Sequence, residues 1–372
     1  MRSSTIMIFA ACTSLFIGCS SSPENIATNN EETVETTAAI VKSDAITETL
    51  VGGISKPEDL VTIPETSWVL VSSMSSEKLG MTGGLFAVDS TVGKQVPLWP
   101  STSVESRWDR AAYPSCPGEP DMATAEPHGI NVEPGAGTDP DTLYAINHGR
   151  HSVEVFDLDA SGESIDATWV GCIPIPDDVS ANGVAPLPDG GGIVVSSMFN
   201  PSEAGNPFQR MFTGVDTGRI MKWTRGGTWE AIPNSELGGA NGVVVSEDGR
   251  YVMAAGWTQR KVVKIPLNGN ADRVTLELPF LPDNLRWTDR GTVLVTGHDV
   301  TIDDVTTCNG GEGTDCPTGY HVFEINPTTM TAAHVIDGSE SDVSLATTAV
   351  QVGSEIWVGS ITGDNIYRVD FN

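Results

Sequence analysis

Short apolar runs separated by Gly-, Pro-, Asn- and Asp-rich turns fill the chain, and one pattern returns six times. A turn followed by an apolar strand ending in small residues occurs as ETSWVLVSSM (65–74), PDTLYAINHG (140–149), GGGIVVSSMF (190–199), GRYVMAAGW (249–257), RGTVLVTGH (290–298) and GSEIWVGSI (353–361). Each copy is followed by a second, alternating strand: GGLFAVDS (83–90), SVEVFDLD (152–159), GRIMKWTR (218–225), KVVKIPLN (261–268), YHVFEINP (320–327) and NIYRVDF (365–371). A third short segment lies upstream of each copy, such as GVVVS after Asn241 or NLRWT at Asn284. A fourth often lies downstream, such as WEAIP at 229 or RVTLELP at 273. Runs of this kind predict strands.

Four strands in each of six units predict an all-β fold, a six-bladed β-propeller with four antiparallel strands per blade. Radial repetition protects sheet edges by packing blade on blade. A sandwich of the same strands is the rival, and it does not explain a six-fold recurrence. The last unit ends at Asn372 without a fourth strand of its own, while TETLVGGI (47–54) has no partner before the first unit. The N-terminal segment is therefore expected to complete the sixth blade, so that residues 46–372 form one closed ring. The 39 glycines and 23 prolines, set among β-branched runs, fit this reading better than a helical or α/β fold.

Charge narrows the possible partners. Forty-nine Asp and Glu against 20 Lys and Arg give a net charge of −29 over 372 residues. That field repels phosphate backbones and anionic head groups over a Debye length of roughly 10 Å, which excludes nucleic acid as a partner. Residues 1–18 carry one base, Arg2, and an apolar run from Ile6 to Ile17, the layout of a secretory signal and too short for a stable membrane span. The following FIGC and SSS resemble a bacterial lipoprotein signal with Cys19 as the lipidated first residue, although Phe16 stands where such signals usually have Leu. Plain secretion is the alternative. Residues 19–45 lack periodicity and read as a disordered tether. The expected location is the bacterial cell envelope, with membrane contact through the anchor alone.

Cys12 leaves with the signal, so Cys116, Cys172, Cys308 and Cys316 remain in an oxidising compartment, enough for two disulfides. The short loop between Cys308 and Cys316 makes that pair the easiest to close, with Cys116 and Cys172 left over, but three pairings are open. A zinc site is the rival, and no CxxC pair supports it.

In a propeller the innermost strand of each blade lines the central channel, so matching positions just before those strands converge. Here they are Glu58 and Asp59 in KPEDLVTI, His128 in PHGINV, Asn182 in ANGVAPL, Asn241 in ANGVVVS, and Asp283 with Asn284 in PDNLRW. Taken singly, each reads as a turn or capping residue, since Asn-Gly is a common turn dipeptide. Turn preference does not, however, select one register in five separate repeats. Two carboxylates, Glu58 and Asp283, with the amides of Asn182, Asn241 and Asn284, form an oxygen set suited to Ca²⁺, which takes about 6–8 oxygens. Zinc would favour nitrogen or sulfur, and magnesium would keep more water. A metal with open positions polarises a carbonyl, so hydrolysis is the favoured reaction.

At these residues the chain resembles the calcium-dependent six-bladed propeller hydrolases, namely the paraoxonase/arylesterase family and the gluconolactonase and senescence-marker-protein group. The likeness spans residues 45–372 and is carried by PEDL, PHGI, INHGRHSVEVFDL, ANGV followed by EDGRYV, and PDN. It implies that Glu58, Asn182, Asn241, Asp283 and Asn284 hold the catalytic calcium. It also implies that His128 and His148 are a relay and base activating water, with Asp283 as the rival base, and that His298 contacts substrate. A second, structural calcium would use Asp59 and the carbonyl of Ile130, but its remaining acid is replaced here by Gly183. The loops Ser101–Glu126, with Trp108, Tyr113 and Cys116, and Asn200–Gly218, with Phe208, Met211 and Phe212, are expected to wall the substrate pocket. His151, His321 and His334 read as surface.

The function expected from this reading is calcium-dependent hydrolysis of small-molecule lactones or aryl and carboxylic esters. The alternative is a non-catalytic surface-anchored propeller that binds a ligand or partner around a structural calcium. A metal-free condensing enzyme of the strictosidine-synthase type shares the fold, and the oxygen set speaks against it.

Overall fold

The computed structural model describes residues 47–75, 82–160, 164–269, 272–307, 319–338 and 343–370. The chain separates into two units, Met1–Ala39 and Ile40–Asn372, and the ring belongs to the second. The signal segment, Cys19, the tether, Cys308 and Cys316 lie outside the described residues.

The predicted repeat is the observed one. Blade 1 runs outward through Pro57–Thr62, Trp68–Ser73, Gly84–Asp89 and Gln95–Trp99. Blade 2 uses Pro127–Glu133, Asp141–Asn147, Ser152–Asp159 and Asp166–Pro174, and adds a short parallel strand, Glu105–Ser106, on its outer edge. Blade 3 is Ala181–Leu187, Gly192–Ser197, Arg219–Thr224 and Trp229–Ala231. Blade 4 is Ala240–Val245, Tyr251–Gly256, Lys261–Pro266 and Val274–Glu277. Blade 5 is Leu281–Trp287, Val293–Asp299, Gly319–Asn326 and Thr331–Asp337. Blade 6 is Ala346–Val352, Glu355–Ser360 and Asn365–Asp370, completed by Thr47–Gly52. That last strand pairs antiparallel from Thr47 with Asp370 to Gly52 with Asn365, so the N-terminal segment closes the ring as expected.

The inner strands all carry the same irregularity. In blade 4 Ala240 faces Gly256 but Val243 faces Ala254, so the inner strand holds one residue more than its partner. The same shift occurs between Pro57 and Asp59, Pro127 and Ile130, Ala181 and Val184, Pro282 and Leu285, and Ala346 and Thr348. A β-bulge bends the strand and re-aims its side chains. Each expected hub residue falls in one of these bulges, inside the strand and not before it. The Asn-Gly pairs are therefore not turns.

Their glycines serve close approach instead. A Cβ on Gly129 would lie 2.2 Å from the Asn182 carbonyl oxygen, and one on Gly242 would lie 2.5 Å from Asn284 Cα. Each inner strand thus sits against the bulge of the next blade, and a side chain there would push the blades apart. Between blades the apolar faces pack around Tyr144, Phe156 and Trp169 in blade 2 and around Trp357 in blade 6, all fully buried.

The loop 101–126 differs from expectation. Its residues contribute nothing to the lining of the central cavity. Instead it braces the outside of the ring: Trp108 packs on Trp169 at 6.2 Å, Tyr113 stacks on Trp223 at 6.3 Å, and Cys116 is bonded to Cys172. Arg150 secures the same corner, donating to the Gly118 carbonyl at 2.7 Å and to Glu154 at 2.8 and 3.0 Å. His321 and His334 are not free surface groups either: they are half-buried, 3.3 Å apart, beside Phe280 and Phe323. His151 is half-buried with its Nε2 3.1 Å from the Pro176 carbonyl.

Because the disulfide spans 56 residues, replacing Cys116 and Cys172 by Ser should lower stability by about 2–4 kcal/mol. A urea denaturation curve would show an earlier midpoint, and an unchanged midpoint would mean the loop contacts suffice without it.

Candidate functional site at the hub

The bulges bring six side chains to one cavity of about 560 Å³: Glu58, His128, Asn182, Asn241, Asp283 and, from the second strand of blade 5, His298. All are buried, none more than 8% exposed. Asn284 stands behind them, its Nδ2 donating to Glu58 Oε1 at 3.0 Å. The rest of the wall is apolar, with Met198, Met211, Phe212, Trp257, Leu345 and Ile361 prominent. The loop 200–218 supplies part of this wall, as expected, through the short helix Pro207–Met211 and a chain of edge-to-face contacts from Phe208 to Phe212 to Trp257 to His298. Larger cavities of about 640 and 740 Å³ open at the far ends of the inner strands, among hairpin turns, and gather no comparable set of groups.

Hydrogen bonds fix how these groups face. Asn182 Nδ2 donates to His128 Nε2 at 2.9 Å, which leaves the hydrogen on His128 Nδ1, 3.6 Å from Glu58 Oε2. Trp257 Nε1 donates to His298 Nδ1 at 3.3 Å, so the His298 hydrogen is on Nε2, 3.6 Å from Asp283 Oδ2. Among the described residues, Asn182 Oδ1, Asn241 Oδ1, His128 Nδ1 and His298 Nε2 are buried without a hydrogen-bond partner. Orphaned buried polar atoms are costly, so four at one cavity mark a site that expects a ligand. The two amide oxygens can only accept, which makes a cation a fitting partner for them.

The ionisable groups agree. Burial pushes the Glu58 carboxyl up to about 7, against the Asn284 amide and the Arg286 guanidinium, which favour its charge. Burial raises Asp283 well above the usual carboxylate range, and the charges of Glu58 and Asp59 raise it further. Burial lowers His128 and His298 to about 4. Neutral imidazoles beside uncompensated carboxylates are the arrangement a divalent ion would stabilise, since it would return both acids to the charged form. Among the described residues no three His, Cys, Asp or Glu groups are placed to hold a metal by themselves. Glu58 and Asp283 with the oxygens of Asn182 and Asn241 nevertheless fit a calcium ion, which takes neutral amide oxygens readily.

The histidine pair is arranged differently from a relay. The rings of His128 and His148 lie 4.7 Å apart, but His148 donates from Nε2 to the Ala181 carbonyl at 2.8 Å, while the free lone pair of His128 is taken by Asn182. Burial and the neighbouring His128 ring lower His148, yet the residue is exposed, which limits how far burial can act on it.

The two groups expected at a second ion have a protein cation between them. The Arg286 guanidinium pairs with Asp59 Oδ2 and donates to the Ile130 carbonyl at 2.8 Å. Burial pushes the Asp59 carboxyl up to about 7, opposed first by Arg286. Its contacts decide for the charged form, because Leu60 N, Ile130 N, Thr348 Oγ1 and Arg286 all present donors to it. Arg286 went unread in the sequence, although a lone base inside the apolar inner strand LPDNLRW was a usable signal. Nor did the sequence point to a hub residue for the sixth blade: Thr347 occupies its bulge, lines the cavity and donates to the Glu58 carbonyl at 2.6 Å.

No family model matches the chain. Among curated proteins, an Arabidopsis thaliana protein described as strictosidine synthase-like 10 is 33% identical over 85 residues. The match takes in 22% of this chain and less than a quarter, 23%, of that protein. Solved structures with the same fold include a luciferin-regenerating enzyme (TM-score 0.53, 12% identity, covering 88% of this chain and 95% of that one). A calcium-binding protein, regucalcin, from Agrobacterium tumefaciens has a TM-score of 0.52 at 9% identity, with 87% and 93% covered. A gluconolactonase from Xanthomonas campestris has a TM-score of 0.52 at 13% identity, with 87% and 89% covered. At these identities the likeness establishes the six-bladed ring.

Two outcomes are expected of the site. Calcium binding should release protons, because burial raises the carboxyls of both Glu58, to about 7, and Asp283, so affinity should fall with falling pH. Calorimetry in buffers of different ionisation enthalpy reads that release. Gly242→Ala, whose methyl would meet the backbone of Asp283 and Asn284, should lower the melting temperature and weaken calcium binding together. Equal calcium affinity in the variant would mean that the spacing of blades 4 and 5 does not set the site.

Proposed function

We propose that the chain is a calcium-dependent hydrolase of lactones or of aryl and carboxylic esters. The observation that carries this reading is the pair of orphaned amide oxygens, Asn182 Oδ1 and Asn241 Oδ1, beside buried Glu58 and Asp283 in the lining of a largely apolar cavity. Structures sharing the fold include a calcium-binding protein and a gluconolactonase, which supports the same class. Glu58, Asn182, Asn241 and Asp283 would hold the ion, with Asn284 orienting Glu58. Calcium in that position supplies a Lewis acid for a substrate carbonyl.

The chain's own groups do the rest. Asp283 is the group we assign as the base that takes a proton from the attacking water, because it lines the cavity and burial raises its proton affinity. His298 lines the cavity, is held by Trp257 in the tautomer with hydrogen on Nε2, and would donate it to an oxygen of the substrate. His128 orients Asn182 by accepting from its Nδ2, and the His148 ring packs beside His128 at 4.7 Å. The apolar wall excludes water and favours substrates with apolar acyl or aryl groups over polyhydroxylated lactones.

A non-catalytic propeller with a structural calcium is the second reading, and the same ligand set would serve it. A metal-free condensing enzyme, raised by the partial match to a strictosidine synthase-like protein, leaves the orphaned amide oxygens unexplained. Tethering to the envelope through Cys19 rests on the N-terminal sequence alone and would be tested by labelling with a radiolabelled fatty acid.

The deciding assay measures hydrolysis of aliphatic lactones, sugar lactones and phenyl esters with and without excess chelator. Asn241→Ala and Asp283→Ala should each abolish calcium-dependent thermal stabilisation and lower turnover by roughly a hundredfold or more. Turnover that survives in chelator sinks the mechanism. Stabilisation by calcium without turnover on any substrate favours the binding propeller.

A further inference from the structure

The hub buries more negative charge than one divalent ion balances. Glu58, Asp59 and Asp283 are all buried there, and a buried carboxylate requires a compensating charge. One of the three has its compensation inside the protein. Arg286, itself buried on the inner strand of blade 5, reaches to blades 1 and 2. Its Nη2 pairs with Asp59 and bonds the Ile130 carbonyl at 2.8 Å, its Nε bonds the Leu60 carbonyl at 2.6 Å, and its Nη1 bonds the Leu285 carbonyl at 2.9 Å. Asp59 is saturated in return by Leu60 N at 3.0 Å, Ile130 N at 2.9 Å and Thr348 Oγ1 at 3.1 Å. Subtracting this internal pair leaves two carboxylates, Glu58 and Asp283, both lining the cavity.

We propose that Arg286 is a built-in cation of the hub, which neutralises Asp59 permanently and thereby sets the number of exchangeable divalent ions at one. The inference rests on the cation reading of the site and goes beyond it by assigning the ion count and the residue that sets it. Arg286 does not line the cavity. It is a positioning residue: by tying the inner strands of blades 1, 2 and 5 together it holds Asp59, and with it the adjacent Glu58, in place whether or not the exchangeable ion is bound. A guanidinium suits this task because it is always charged and its planar fork meets a carboxylate and several carbonyls at once.

The test compares the wild-type chain with Arg286→Met and with the double variant Arg286→Met/Asp59→Asn, which removes both members of the pair. Calcium bound per chain is measured by equilibrium dialysis with metal analysis, and melting temperature is measured in calcium and in chelator. The wild type is expected to bind one ion. Arg286→Met should melt roughly 5–10 °C lower in chelator, or fold only with calcium present, and should take up a second ion. The double variant should return to one ion and recover much of the lost melting temperature. A wild type that binds no ion overturns the cation reading, and this inference with it. The inference alone falls if the wild type takes two ions, if Arg286→Met keeps one ion and the wild-type melting temperature, or if the double variant is no better than the single one.

Discussion

Three carboxylates share one buried hub, and the need to compensate their charge governs the rest of the molecule. Isolated charges of this kind would cost several kcal/mol each. Arg286 answers Asp59 with a guanidinium that also satisfies three backbone carbonyls. Glu58 and Asp283 have no such partner, and burial lifts both toward protonation. The amide oxygens of Asn182 and Asn241, buried and unpartnered beside them, can only accept and so suit a cation.

The ring is what makes such a concentration of charge possible. Six inner strands meet at the channel, and in each of them a bulge at one register turns a side chain inward. The strands approach so closely that Gly129 and Gly242 leave no room for a Cβ against the neighbouring backbone. Packing between blades and placement of the polar groups are therefore one constraint. A change that widens the gap between two blades also separates the groups that converge on the hub.

Chemistry and selectivity are divided between different parts of the chain. The strands carry the polar groups, while the cavity wall comes largely from the loop 200–218 and from Trp257, whose aromatic contacts run to His298. The other long insertion, 101–126, has a separate role. Its disulfide and its contacts with Trp169 and Trp223 clamp blades 2 and 3 from outside. Length alone did not distinguish a wall of the pocket from a brace of the ring, because each loop carries two aromatics and only their anchoring contacts separate them.

The six-fold recurrence of apolar strands and turns was enough to define the blades, the closing strand Thr47–Gly52, and the register shared by Glu58, His128, Asn182, Asn241 and Asp283, because strand periodicity and repetition are local properties written in sequence order. What lay beyond it depends on groups that meet across the channel from distant positions. The bulges that carry those residues inside the strands, the donors that fix the His128 and His298 tautomers, and the fate of Asp59 belong to that set. Asp59 and Ile130 looked like ligands for an ion as long as their neighbours were unknown. Only the folded ring brings Arg286 to them across more than 150 positions of chain, 227 for Asp59 and 156 for Ile130, and a contact at that separation leaves no periodic trace in the sequence.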